Sequence, residues 1–123
     1  MSATLNDPRI ANGMRKQFAL RRERLEAGAK QIGWKVGLGA PAAQQKNKLT
    51  APLVGFLLDR AELATGATVS LNGWTKPAAE AEIAAYIHRD IPAGADRDTV
   101  RAAIGALGPA IELADVDSAM DDV

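Results

Sequence analysis

Pro77-Ala78-Ala79-Glu80-Ala81-Glu82-Ile83-Ala84-Ala85-Tyr86-Ile87 reads as a strand, and as a strand it has two unlike faces. Successive side chains alternate sides, so Ala81, Ile83, Ala85 and Ile87 share one face and Glu80, Glu82, Ala84 and Tyr86 the other. The first face is apolar. The second carries two carboxylates side by side, which repel unless solvent, a proton or a cation lies between them. Carboxylate oxygens are what a hard divalent ion such as Mg2+ takes as ligands, with water or substrate completing its octahedron. A half-exposed strand with Glu on its solvent face carries the same pattern, and this stretch alone leaves both readings open.

Downstream, His88-Arg89-Asp90-Ile91-Pro92 reads as the end of the strand and a turn. His88, the single histidine, falls roughly 20 Å beyond Glu82 at a strand's rise per residue, which argues against a shared metal ion and for an ordinary surface histidine. Asp98 or Thr99 is expected to cap a helix carrying Val100, Ile104 and Leu107, stopped by Gly108-Pro109. Ala110-Ile111-Glu112-Leu113-Ala114-Asp115 then reads as a strand with Ile111 and Leu113 on one face and Ala110, Glu112 and Ala114 on the other. A carboxylate set between alanines in an apolar strand calls for a partner, and a metal ion is one.

Upstream, Thr65–Leu71 alternates like a strand and Asn72-Gly73 signals a turn before Trp74, Lys76 and Pro77. Pro52 and Gly55 keep residues 49–58 from forming one continuous element. Asp59–Leu63 reads as a turn and residues 40–48 as a short helix or loop. Gln31-Ile32-Gly33-Trp34-Lys35-Val36-Gly37-Leu38-Gly39 reads as a strand with Ile32, Trp34, Val36 and Leu38 on one face. Lys35 lies on the other, flanked by Gly33 and Gly37, so that another group or a ligand can approach it closely. An outward lysine blunting an edge strand fits equally. Asp7-Pro8 reads as an N-cap and first helical residue, opening an amphipathic helix with Ile10, Met14, Phe18 and Leu25 at helical spacing and Gly28 as its end.

Composition narrows the class. With 47% hydrophobic and 24% charged residues the chain matches an ordinary soluble globular domain. Fifteen basic residues balance fifteen acidic ones, so no global field points to nucleic acid or an anionic membrane. Residues 1–30 lean basic and the chain ends in Asp115, Asp117, Asp121 and Asp122, which reads as solvated termini. With no cysteine, disulfides, thiolate metal sites and a cysteine nucleophile are excluded. Residues 1–8 lack the pattern of a secretory signal, and the longest uncharged apolar run, residues 49–58, is too short to span a bilayer. A soluble, cytoplasmic protein is the expectation.

Taken together, Gly33-Trp34-Lys35-Val36-Gly37-Leu38, Pro77 to Ala84, Arg89-Asp90-Ile91-Pro92-Ala93 and Pro109-Ala110-Ile111-Glu112-Leu113 resemble the 2-keto-4-pentenoate hydratase and 2-oxo-3-hexenedioate decarboxylase group of the fumarylacetoacetate hydrolase-like superfamily. The resemblance spans roughly residues 10 to 117 and matches the N-terminal half of the family's longer chains. It implies an α+β fold: an N-terminal helical segment (1–30), then part of a catalytic domain with a mixed sheet (31–123).

It also implies Glu80, Glu82 and Glu112 as ligands of one Mg2+ or Mn2+, Lys35 as the proton-transfer residue, and Gly37 and Leu38 as substrate-binding positions. The implied activity is a lyase of aromatic catabolism that adds water to a 2-hydroxypenta-2,4-dienoate-type acid to give a 4-hydroxy-2-oxo acid. The chain departs from the pattern at Leu53, where hydratases carry an aspartate. The alternatives are therefore a 2-oxo-3-enedioate decarboxylase, or a short non-catalytic chain completed by a partner. The implied partners are the small 2-oxo or 2-hydroxydienoate acid, and either further copies of the chain or a related decarboxylase or hydratase subunit, with no nucleic acid and no membrane.

Overall fold

The computed structural model describes residues 7–116, and the expectations placed on residues 1–6 and on Asp117, Asp121 and Asp122 lie outside them. The fold is α+β and divides into two compact units, one up to Val69 and the other from Ser70.

In the first unit, α1 runs over Pro8–Glu26. Asp7 caps it, its carboxylate accepting from the Arg9 backbone N–H at 2.9 Å and from the Arg9 guanidinium at 2.6 Å. The Arg9 side chain holds the Asp7 carboxyl down at about 2. Gly28 ends the helix with φ +87°, a conformation that favours glycine, and the Ala29 N–H returns to the Arg24 carbonyl at 3.0 Å. Ile10, Met14, Arg21 and Leu25 form the half-buried stripe, close to the predicted apolar one. Phe18 meets Trp34 edge-on at 6.3 Å and Arg21 lies over the same indole at 5.5 Å, a contact that attracts a cation to the ring face.

Trp34 belongs to β1, Gln31–Gly37, which pairs antiparallel with β2, Leu53–Leu58. Lys35 stands opposite Gly55 and Gly37 opposite Leu53, with an irregularity between Gln31 and Gly33. The far end of the pair is fastened by Asp59: its N–H donates to the Lys30 carbonyl and its carboxylate accepts from the Lys30 N–H, both at 2.9 Å. Between the strands lies α2, Pro41–Lys46, with proline at its start.

Three expectations fail at this level. Thr65–Leu71 forms no strand, because no strand among the described residues offers it a ladder, and Thr65-Gly66 turns instead, with Ala67 N–H on the Ala64 carbonyl at 3.0 Å. The Asn72-Gly73 turn does form, closed by the Trp74 N–H on the Leu71 carbonyl at 3.1 Å.

The second failure concerns the predicted helix into Gly108-Pro109. In the second unit α3 covers only Arg97–Ala103, capped by Asp96, whose carboxylate takes the Thr99 N–H at 2.8 Å. The chain enters β4, Ile104–Asp115, without a loop. The long antiparallel partner β3, Pro77–Ile87, wins this competition: Ile104 pairs with Ile87, Leu107 with Ala85, Gly108 with Ala84 and Pro109 with Ile83. Proline is tolerated there because β4 has only one ladder among the described residues. The third failure is that β3 ends at Ile87, so residues 88–92 are not strand.

The two ladders are separate, and both are antiparallel. Among the described residues Ala29 and Ala103 are the buried apolar residues, while the apolar face of β3 and β4 shows Ile83 at 78% and Ile111 at 73% exposure.

Candidate metal centre

Antiparallel pairing puts directly opposed residues on the same face of a ladder, about 4.5–5.5 Å apart at Cβ. Glu80 is opposed to Glu112, and Glu82 to Ala110. The two glutamates of β3, two residues apart, and the one of β4 therefore gather on a single face. One carboxylate oxygen from each lies within 4.8 Å of the others; Glu80 and Glu82 are exposed and Glu112 is half-buried.

The sequence context explains why the side chains can converge. Ala78, Ala84, Ala110 and Ala114 occupy the neighbouring positions of the same face, so little bulk separates the acids from a ligand above them. Octahedral Mg2+ has oxygens at about 2.1 Å from the metal and so about 3 to 4 Å from each other. Three acidic oxygens within 4.8 Å fit that donor set with small rotamer adjustments, and the hard-oxygen chemistry favours Mg2+ or Mn2+ over a thiophilic ion.

One end of the ladder is held by Asp115, whose two carboxylate oxygens accept from the Thr75 N–H at 2.9 Å and the Lys76 N–H at 2.8 Å. Asp115 reads from sequence as part of a solvated acidic tail, but its work is to seat the start of β3 and thereby fix the register that pairs Glu80 with Glu112. The available signal was its place at the end of an apolar strand, where a side chain can reach backbone N–H groups. His88 stands apart from the acidic group and packs beside Gly105, where an added Cβ would lie 3.3 Å from it.

The other predicted site residues belong to the first unit. Lys35 is half-buried in β1 and shares its face with Gly33 and Gly37 and, across the ladder, with Leu53, Gly55 and Leu57. Gly37 ends the strand, and Leu38 follows with φ +54°, an uncommon backbone conformation for a non-glycine residue of the kind that concentrates at functional sites.

Comparisons with known proteins find a hydratase and a decarboxylase among the similar chains. The chain is 36% identical over 104 residues to 2-hydroxyhexa-2,4-dienoate hydratase of Comamonas testosteroni, covering 82% of this chain and 39% of the relative. It is 31% identical over 100 residues to 4-oxalocrotonate decarboxylase of Pseudomonas putida, covering 80% and 38%. Among solved structures it matches 4-oxalocrotonate decarboxylase from Pseudomonas putida G7 complexed with magnesium and adipate, at a TM-score of 0.80 and 28% identity over 94% of this chain and 45% of that one. The form complexed with calcium and acetate gives 0.73 and 30%, over 94% and 46%. The chain thus spans 38–39% of the length of these two curated relatives. No protein-family model matches it.

Proposed function

We propose a function from one premise: over the matched residues this chain belongs to the 2-keto-4-pentenoate hydratase and 2-oxo-3-hexenedioate decarboxylase group of the fumarylacetoacetate hydrolase-like superfamily. The proposed activity is that of a divalent-metal-dependent lyase acting on a small 2-oxo or 2-hydroxydienoate acid of aromatic catabolism. Its proposed compartment is the cytoplasm, and its proposed assembly is a homo-oligomer or a pairing with a related hydratase or decarboxylase subunit. The observation that carries the reading is the convergence of Glu80, Glu82 and Glu112, with one carboxylate oxygen from each within 4.8 Å of the others, a donor set that suits a hard divalent ion.

When bound, Mg2+ or Mn2+ supplies a Lewis acid that stabilises negative charge on the substrate's 2-oxygen. Glu80, Glu82 and Glu112 would hold the ion, and the β3–β4 register fixes them relative to one another. Lys35 is the proposed proton-transfer group, moving a proton to or from a carbon conjugated with the 2-oxo group. Gly37 and Leu38 are the proposed substrate contacts. In hydration, water then adds across the unsaturated bond and gives the 4-hydroxy-2-oxo acid.

Decarboxylation is the second reading. It needs no residue to direct water, and Leu53, half-buried in β2 opposite Gly37, offers no carboxylate for that task. A third reading makes the chain a non-catalytic subunit that works only with a partner.

Supplying a 2-hydroxydienoate and, separately, a 2-oxo-3-enedioate with Mg2+ separates these outcomes by product, water adduct or CO2, and no turnover of either favours the third. Lys35→Ala is expected to slow turnover by about 100-fold or more while Mg2+ affinity stays within about twofold, since Lys35 is not among the proposed ligands. Unchanged turnover would remove Lys35 from the mechanism.

A further inference from the structure

Three glycines surround Lys35 on its face of the β1–β2 ladder, and they are not equivalent. A Cβ added at Gly37 would meet nothing within 4 Å, and at Gly33 it would touch only Leu57 Cδ1 at an ordinary 3.7 Å. At Gly55 it would fall 2.9 Å from Lys35 Cγ and 3.2 Å from Lys35 Cδ, with Gln17 Oε1 at 3.9 Å. Gly55 has no positive φ, so its backbone suits any residue, and what glycine provides there is space. Lys35 and Gly55 are directly opposed; the lysine stem crosses the ladder and lies flat over the bare Cα of its partner.

We propose that Gly55 is the positioning residue for Lys35, holding its ammonium-bearing stem in a cross-strand groove that any side chain would fill. The proposal rests on the reading of Lys35 as the proton-transfer group only for its catalytic consequence; the groove itself follows from the packing. The obstruction would fall at Cγ and Cδ, near the root of the side chain. Relief therefore requires a new χ1 or χ2, which carries the Nζ away by the full length of the stem. A displacement of that kind is enough to cost a proton transfer about tenfold or more.

The test is a double-mutant cycle on the full chain, read by thermal unfolding and by Mg2+-dependent solvent-deuterium exchange into a 2-oxo acid. Gly55→Ala is expected to lower Tm in the native background and to cost much less when combined with Lys35→Ala, because the clash is with the lysine stem. If Gly55→Ala alone fails to fold, folding restored by Lys35→Ala is the same positive result. An equal loss of Tm in both backgrounds, or misfolding in both, overturns the proposal. For exchange, Gly55→Ala is expected to lower kcat at least about tenfold with KM and Mg2+ affinity within about twofold, whereas Gly33→Ala, whose Cβ would meet only Leu57 at an ordinary distance, keeps the Lys35 packing and the native Tm. Exchange at the native rate in Gly55→Ala overturns the positioning role. If Lys35→Ala itself exchanges like the native protein, the proton-transfer reading fails, and the Tm cycle still decides the groove.

Discussion

Glu80 faces Glu112 across the ladder, and Glu82 stands two residues along on the same side. Like charges directly opposed in a sheet cost about 0.2–1 kcal/mol, and a third carboxylate within 4.8 Å adds to that. A metal ion reverses the sign, because an ion that binds only the folded chain stabilises it by mass action. Glu80→Gln is therefore expected to raise Tm slightly in the presence of a chelator and to abolish the rise that millimolar Mg2+ gives the native protein. A variant that loses Tm without metal and still responds to Mg2+ would contradict the reading. At this scale the sequence was informative where alternation decides the matter: period two put Glu80 and Glu82 together, and the same rule left Glu112 on one face of its strand. Gly55 stayed hidden because its role depends on which residue of β1 it opposes, and a register across the intervening residues cannot be read from either strand alone.

At the scale of elements, local signals succeeded where the contacts are local. Asp7 caps α1 through its own neighbours, and Gly28 ends it through its own φ. They failed for β4, where Asp96 rather than Asp98 or Thr99 caps α3 and the residues after Ala103 join β3 instead of extending the helix. Helical spacing of Val100, Ile104 and Leu107 was real, but an eleven-residue partner strand outweighs propensity. The caps also carry a pH signature. Asp7 sits at about 2 against an ordinary 3.8, and Asp96 is lowered by its hydrogen bonding to Thr99. A carboxylate depressed in the folded state contributes stability that is present above its ordinary value and lost as pH falls toward its folded one. Acidification from pH 4 to pH 2 is thus expected to fray the first turn of α1, seen as Cα chemical shifts of Arg9 and Ile10 moving toward coil values. Asp7→Asn, which does not titrate, should show little of this change; an identical pH response in the variant would assign the fraying elsewhere.

For the whole molecule, the notable quantity is apolar surface left in water. Ile83, Ile111 and Leu107 are 78%, 73% and 67% exposed on one face of the β3–β4 ladder, well beyond the scattered apolar residues of an ordinary surface. Composition could not reveal this, because 47% hydrophobic residues suits a covered sheet as well as an open one. Coverage of the relatives gives the context: the matched residues make up 45–46% of the decarboxylase chains. A dye that fluoresces on apolar surfaces is expected to bind the protein and to lose most of its signal in Ile83→Lys/Ile111→Glu, with far-UV circular dichroism unchanged. An undiminished signal would mean that this face is covered in solution.

The acidic cluster is the feature on which the functional reading turns, and calorimetric titration of Mn2+ tests it most directly. It would be run with oxalate present as an enolate mimic, on the native protein and on Glu82→Gln side by side. Binding of about one ion per chain, lost in the variant, is the predicted result, since one carboxylate oxygen from each of three glutamates fits a single hard cation. No binding in the native protein, or equal binding in both, would mean that the three glutamates form a solvated strand face and would withdraw the metal-dependent lyase reading for this chain.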